Sequence, residues 1–101
     1  MAAKDAMKEA PTPLSGPLIL EIEFRMPRPK RLRKADVDIP HTCRPDTDNL
    51  VKSTQDALQM ASVVGDDSIF FDVHAVKYYS NPDDPSFARI RIIQAPDPLN
   101  D

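Results

Sequence analysis

The chain is 101 residues long, with 41% hydrophobic and 29% charged residues. That is the composition of one small globular domain, which excludes a disordered chain and leaves no room for a second catalytic unit. No apolar run approaches the roughly 20 residues that span a bilayer, no secretory h-region opens the sequence, and Cys43 has no internal disulfide partner. Membrane and secreted classes are therefore set aside and a cytoplasmic setting is expected. The formal charge of −3 argues, as a bulk figure, against a polyanionic partner. The charge is nevertheless segregated: Arg25, Arg28, Lys30, Arg31, Arg33 and Lys34 share a ten-residue window without an acid. Alone, such a window is also what a solvated loop looks like.

In chain order, Ala3, Ala6, Met7 and Ala10 recur at helical spacing and predict a helix over 1–10, with no N-cap residue ahead of it. Pro11, Pro13, Ser15, Gly16 and Pro17 then form a connector, since proline cannot continue a helical hydrogen-bond ladder. Leu18, Leu20, Ile22 and Phe24 alternate with Ile19, Glu21, Glu23 and Arg25, which predicts a strand with the first set on the core. Pro27 and Pro29 end it, and 26–44, which carries the basic window, reads as a long loop projecting from the sheet. Leu50, Thr54, Ala57, Leu58 and Ala61 share one helical face, with Asp48 placed to cap the first turn and the end expected within 62–65. Residues 69–79 and 87–93 read as strands, the second with Ala88, Ile90 and Ile92 inward. The segment 80–86 is expected to join them as a hairpin loop, and 94–101 to be a loose tail. The order helix, strand, helix, strand, strand predicts an α/β (α+β) fold, a small mixed β-sheet packed with helices, as one domain over 1–101.

Fold class does not decide function; the segment Arg44-Pro45-Asp46-Thr47-Asp48-Asn49-Leu50-Val51-Lys52, followed by Asp66-Asp67, does more. In extended chain, Asp46 and Asp48 would project to one side and could share a cation. Mg²⁺ takes oxygen ligands, typically one or two carboxylates completed by water and phosphate. Asp66-Asp67, at a helix-to-strand turn, could bring a third carboxylate. Lys52 lies one helical turn after Asp48, on the same face. Carboxylates holding a metal with a lysine beside them are what phosphoryl chemistry requires. Each part also has a plain reading: an N-cap or Asx turn for Asp46 and Asp48, an exposed turn for Asp66-Asp67, a solvated cation for Lys52. His41 and Cys43 fall short of a structural zinc set. His74 is expected to point outward, and Tyr78 and Tyr79 either pack or stack on bases.

The combination is more specific than its parts. The order Arg44-Pro45-Asp46-Thr47-Asp48-Asn49-Leu50-Val51-Lys52, then Asp56-Ala57-Leu58, Asp66-Asp67 and Val76-Lys77 resembles the signature of the RusA family of Holliday-junction resolvases. With His41-Thr42 and the proline-rich strand exit at 24–30, the chain is similar to family variants from phage and bacterial genomes, over about residues 18–93. The resemblance implies a homodimeric, Mg²⁺-dependent crossover junction endodeoxyribonuclease that nicks four-way DNA junctions in recombination and repair. It implies that Asp46, Asp48 and Asp67 bind metal, that Lys52 is the catalytic lysine, and that Asp66 is a secondary acid. The basic residues Arg28, Lys30, Arg31, Arg33, Lys34, Arg44, Lys77, Arg89 and Arg91 are expected to contact DNA. Arg44 stands where the family has Lys, and Ile69 where it has Gln. The family begins with a strand and basic loop ahead of its first helix, so this chain is expected to be truncated, with an unpaired sheet edge along Leu18 to Arg25. The open alternatives are a non-catalytic junction-binding protein or inactive remnant, and a metal-dependent phosphohydrolase of another nucleic acid.

Overall fold

The computed structural model describes residues 13–32 and 38–96. The helix predicted over 1–10, Arg33 and Lys34 of the basic window, and residues 97–101 of the tail lie outside the described residues.

The strand expected from two-residue alternation is β1 (Leu18–Met26), and Leu18, Leu20, Ile22 and Phe24 are its buried side chains. Each such burial contributes about 1.5–3 kcal/mol, so this stripe is the main anchor of the core. Around it pack Leu58, Val63, Val64 and Phe70. The amphipathic helix is α1 (Thr47–Met60), which buries Thr54 and Leu58. Thr54 satisfies its hydroxyl within the helix by donating to the Leu50 carbonyl at 2.9 Å. A 3-10 turn, Asp67–Ile69, leads into β2 (Phe70–Tyr79), and β3 (Phe87–Gln94) follows.

The sheet order is β2-β1-β3, with β2 parallel and β3 antiparallel to β1. Two expectations are corrected by this order. β2 and β3 are not a hairpin: β1 lies between them, and 80–86 crosses the end of the sheet, turning through Asn81–Asp84. Nor does Leu18 to Arg25 expose an unpaired edge, since β1 is bonded on both sides. The reason is shared. β1 carries the most apolar inward stripe, so it takes the doubly covered central position and the strands on either side pair with it rather than with each other. The register places Ala88, Ile90 and Ile92 on the core face opposite Phe24, Ile22 and Leu20, as their alternation predicts.

The tail also begins later than expected. Gln94 closes β3, its side chain donates to the Pro17 carbonyl at 3.2 Å, and the Ala95 N–H reaches the same carbonyl at 3.1 Å. The connector is tied as well, for the Leu14 N–H donates to the Val63 carbonyl at 2.7 Å. Gly16 faces Ile69 so closely that a Cβ would stand 3.0 Å from the Ile69 Cβ.

Finally, the middle of the long loop expected to project, 33–37, lies outside the described residues, and its two ends are described. The first end forms a 3-10 turn at Lys30–Leu32, and the second runs along the outer edge of β2. There the Tyr79 N–H donates to the Ile39 carbonyl and the His41 N–H to the Lys77 carbonyl, both at 2.9 Å. This pairing covers part of an edge strand whose backbone groups would otherwise be open and delivers the chain to the start of α1.

Candidate active site

The site is built from that edge segment. Lys77, on β2, is in register with Phe24 of β1 and therefore shares the core-facing side of the sheet. Its ammonium donates to the Cys43 carbonyl at 2.6 Å and the Pro45 carbonyl at 2.5 Å. One residue later comes Asp46, the N-cap of α1, with extended φ −69° and ψ 151° and no capping hydrogen bond from its side chain. Asp48 lies in the first helical turn, where a negative charge suits the positive end of the helix dipole. The sequence expectation that Asp48 caps the helix is thus corrected: the helix begins earlier, with Asp46 at the cap position. The argument that the two acids project together from extended chain is replaced too, since only Asp46 is extended and Asp48 is helical. Asp48 and Lys52 do stand one turn apart on α1, both exposed.

Asp66 and Asp67 stand at the turn that precedes β2, and this turn neighbours α1. Asp66 caps it: one carboxylate oxygen accepts the Ser68 hydroxyl at 3.0 Å, the other the Ser68 N–H at 3.4 Å. The Ser68 hydroxyl, then Asp67 and the Ser68 N–H, hold the Asp66 carboxyl below its usual range. Asp67 is half-buried beside it. Among the described residues, no group of three His, Cys, Asp or Glu side chains is placed to hold a metal ion. The residues therefore do not form a preassembled carboxylate cage. Their chemistry, oxygen donors with the Asp46 carboxylate outside the capping network, fits a hard cation that takes one or two protein carboxylates and completes its shell with water and phosphate.

The basic residues fall into distinct groups. Lys30, Arg31 and Arg44 are exposed. Arg89 and Arg91 are exposed too, but they face Glu23 at 3.7 Å and Glu21 at 3.5 Å across β1. Arg28 and Lys77, also expected to contact DNA, each donate to main-chain oxygens in this structure. Arg28 donates to the carbonyls of Ser80 at 2.6 Å and Leu32 at 2.9 Å, and Lys77 to the two carbonyls above. Arg25 is structural as well. It bridges Glu23 at 2.6 Å and Asp38 at 2.9 Å and lies 4.8 Å over the Tyr78 ring. Asp38 first, then Glu23, favours its charged form. Tyr79 is buried in the core, which settles it as a packing group, and His74 is exposed beside Asp72 at 2.9 Å.

Sequence reasoning missed the grip of Lys77 and the environment of His41. The His41 ring lies 4.8 Å from that of Tyr79, and its Nδ1 is buried without a hydrogen-bond partner. Burial, and secondarily the Lys77 ammonium, lowers its pKa. Neither feature has a local signal, since the partners are 32 to 38 residues apart in the chain.

Fold and charged residues together define a small α+β domain with an acidic helix entrance tethered to a mixed sheet. The chain belongs to the RusA family: the family model for endodeoxyribonuclease RusA matches residues 1–92. A curated relative, the crossover junction endodeoxyribonuclease RusA of Aquifex aeolicus (strain VF5), is 33% identical over 58 residues. That alignment covers 57% of this chain and 46% of the relative, so the chain matches less than half the length of that protein. No solved structure gives a significant match. Among the described residues, no helix is long and apolar enough to cross a membrane.

Proposed function

We propose that this chain is a divalent-metal-dependent endonuclease that hydrolyses phosphodiesters at four-way DNA junctions, acting as a homodimer with Mg²⁺. The observation that carries the reading is the exposed entrance of α1, where Asp46 makes no capping bond and Asp48 stands one turn before Lys52. Family membership makes junction DNA the first substrate to test.

Asp46 and Asp48, with Asp67 from the neighbouring turn, would hold the cation. When bound, it would neutralise phosphate charge and promote water as nucleophile. Lys52 sets a positive charge beside these acids and stabilises charge that grows on the phosphoryl oxygens in the transition state. Asp66 serves the turn that presents Asp67. Lys30, Arg31 and Arg44, with Arg33 and Lys34 of the same basic run, supply the phosphate contacts that hold the substrate, while Arg89 and Arg91 contribute after partial neutralisation by Glu23 and Glu21.

The test is nicking of a synthetic four-way junction against a linear duplex of the same sequence, with and without Mg²⁺. Paired nicks in the junction alone, dependent on metal, are expected. A second reading, a junction-binding protein without catalysis, is favoured by one observation: no three-ligand cluster is preassembled among the described residues. Tight junction binding with no cleavage at any Mg²⁺ concentration would establish it instead.

A further inference from the structure

Lys77 is joined to the segment ahead of α1 at three points. Its carbonyl accepts the His41 N–H at 2.9 Å, and its ammonium donates to the carbonyls of Cys43 at 2.6 Å and Pro45 at 2.5 Å. Lys77 is half-buried, and its ammonium meets these two carbonyls in an exposed setting, where they take up two of its three donors. Charge-assisted bonds of this length are the stronger class of protein hydrogen bond, worth roughly twice a neutral one. From Pro45 the path to the first helical turn is short: Asp46 follows, and its carbonyl accepts the Leu50 N–H at 3.2 Å. β2 is thereby fastened to the start of α1 through one side chain. The Lys77 ammonium also helps, after burial, to lower the pKa of the His41 imidazole.

We propose that Lys77 is a positioning residue: by gripping the Cys43 and Pro45 carbonyls it fixes the entrance of α1, and with it the carboxylates of Asp46 and Asp48. The assignment of those acids as cation ligands rests on the function proposed above; the grip itself does not. Without it, residues 43–46 keep the weak contact of the Cys43 Sγ with the Tyr79 hydroxyl at 3.8 Å and the start of the helix, so the acids sample more positions and meet a cation together less often. A phosphate contact would behave differently, adding to the salt dependence of DNA binding without affecting the metal.

The experiment uses the full chain with Lys77→Met, which keeps the length of the side chain and removes its donors, and Lys77→Arg, which restores donors and charge. Amide hydrogen exchange is followed at Leu50 and, as a control for global opening, at Ile22 and Val63. Lys77→Met is expected to speed exchange at Leu50 at least tenfold while the two control amides change by less than threefold; Lys77→Arg should recover most of that protection. Mn²⁺ binding by the DNA-free protein, read by electron paramagnetic resonance, should shift to about tenfold higher concentration in Lys77→Met. The salt dependence of junction binding in EDTA should be unchanged. Equal acceleration at all three amides would reduce Lys77 to a general stabiliser and overturn the proposal, as would unchanged exchange at Leu50. A salt slope lowered by about one unit, with normal Leu50 exchange, would return Lys77 to phosphate contact. If the wild-type protein binds no Mn²⁺, the cation reading fails, and the exchange result still decides the grip.

Discussion

Asp46 and Asp48 differ by one intervening residue and by a whole backbone state, one an extended cap and the other helical. Their common residue type was legible in the sequence; their relative direction was not, because it depends on where the helix starts. Asp46→Asn and Asp48→Asn, and Asp67→Asn at the neighbouring turn, are each expected to lower junction nicking by about 100-fold or more, the scale of one lost charge-stabilising group in such a site. Junction affinity in EDTA should change by less than threefold, because no basic surface is removed. Asp66→Asn should keep most of the activity, since that carboxylate already serves Ser68. Lys52→Ala should lower kcat by the same order with little effect on affinity, since its task is in the transition state. A matching loss of binding would make it a phosphate contact. His41 gives a prediction in pH. Its pKa in the fold is lowered, so above about 6.5 the ring is neutral in both folded and unfolded chains. As pH falls below that value the unfolded chain takes up the proton first, and stability is lost until the folded ring also titrates. The NMR midpoint of His41 should lie below about 6.5, the ordinary histidine value, and His41→Gln should flatten the fall of stability in that window. A midpoint at or above the ordinary value would contradict the buried, Lys77-facing environment.

At the level of elements, β1 was readable because one buried face leaves a clean alternation, and α1 because Leu50, Thr54 and Leu58 repeat at helical spacing. The partners of β1 were not, since a period of two says which side a residue faces and nothing about which strand lies beside it. The short, proline-bearing segment 80–86 therefore looked like a hairpin when it is a crossing over the end of β1. The helix end shows a similar limit. Gly65 is the residue a reader would choose as the stop, yet the left-handed position belongs to Ser62, with φ 59°. The Ser62 N–H donates to the Gln59 carbonyl at 3.1 Å and the Val63 N–H to the Leu58 carbonyl at 3.0 Å. This is the paired bonding of a Schellman motif, closed by contact between the buried Val63 and Leu58. Ser62→Gly should then raise stability in urea by roughly 0.5–1 kcal/mol, because glycine adopts that conformation without the strain of a Cβ. Gly16→Ala should do the opposite, since its Cβ would stand 3.0 Å from that of Ile69, whereas at Gly65 a Cβ would meet nothing within 4 Å. If Ser62→Gly is neutral or destabilising, the left-handed cap is wrong.

For the whole molecule, the question the proposed function raises is how a chain of net charge −3 would hold DNA. Repulsion from the bulk charge is weak beyond the Debye length, about 8 Å in physiological salt, so local patches decide. In the sequence the basic window comes first and Arg89 and Arg91 are added to the expected contacts, and the structure gives the two groups different surroundings. Lys30 and Arg31 are exposed in a stretch, 25–34, that has no acid of its own. Arg89 and Arg91 instead belong to a ladder in which β1 places Glu23 and Glu21 opposite them. Cross-strand pairing of opposite charges is a way sheets stabilise themselves, at up to about 1 kcal/mol a pair, and it spends charge that DNA would otherwise meet. Each phosphate contact releases counterions and adds about 0.9 to the slope of log affinity against log salt. Lys30→Gln with Arg31→Gln should therefore lower that slope by nearly two units, measured on a four-way junction in EDTA so that cleavage does not intervene. Arg89→Gln with Arg91→Gln removes the same formal charge but should lower the slope by well under one unit, because those guanidinium groups are already compensated. The comparison holds net charge constant between the two variants, so a bulk electrostatic account predicts equal effects. Equal slopes, or the larger loss from the β3 pair, would show that DNA lies across the sheet and displaces Glu21 and Glu23 from their arginines, and the binding face would have to be moved there.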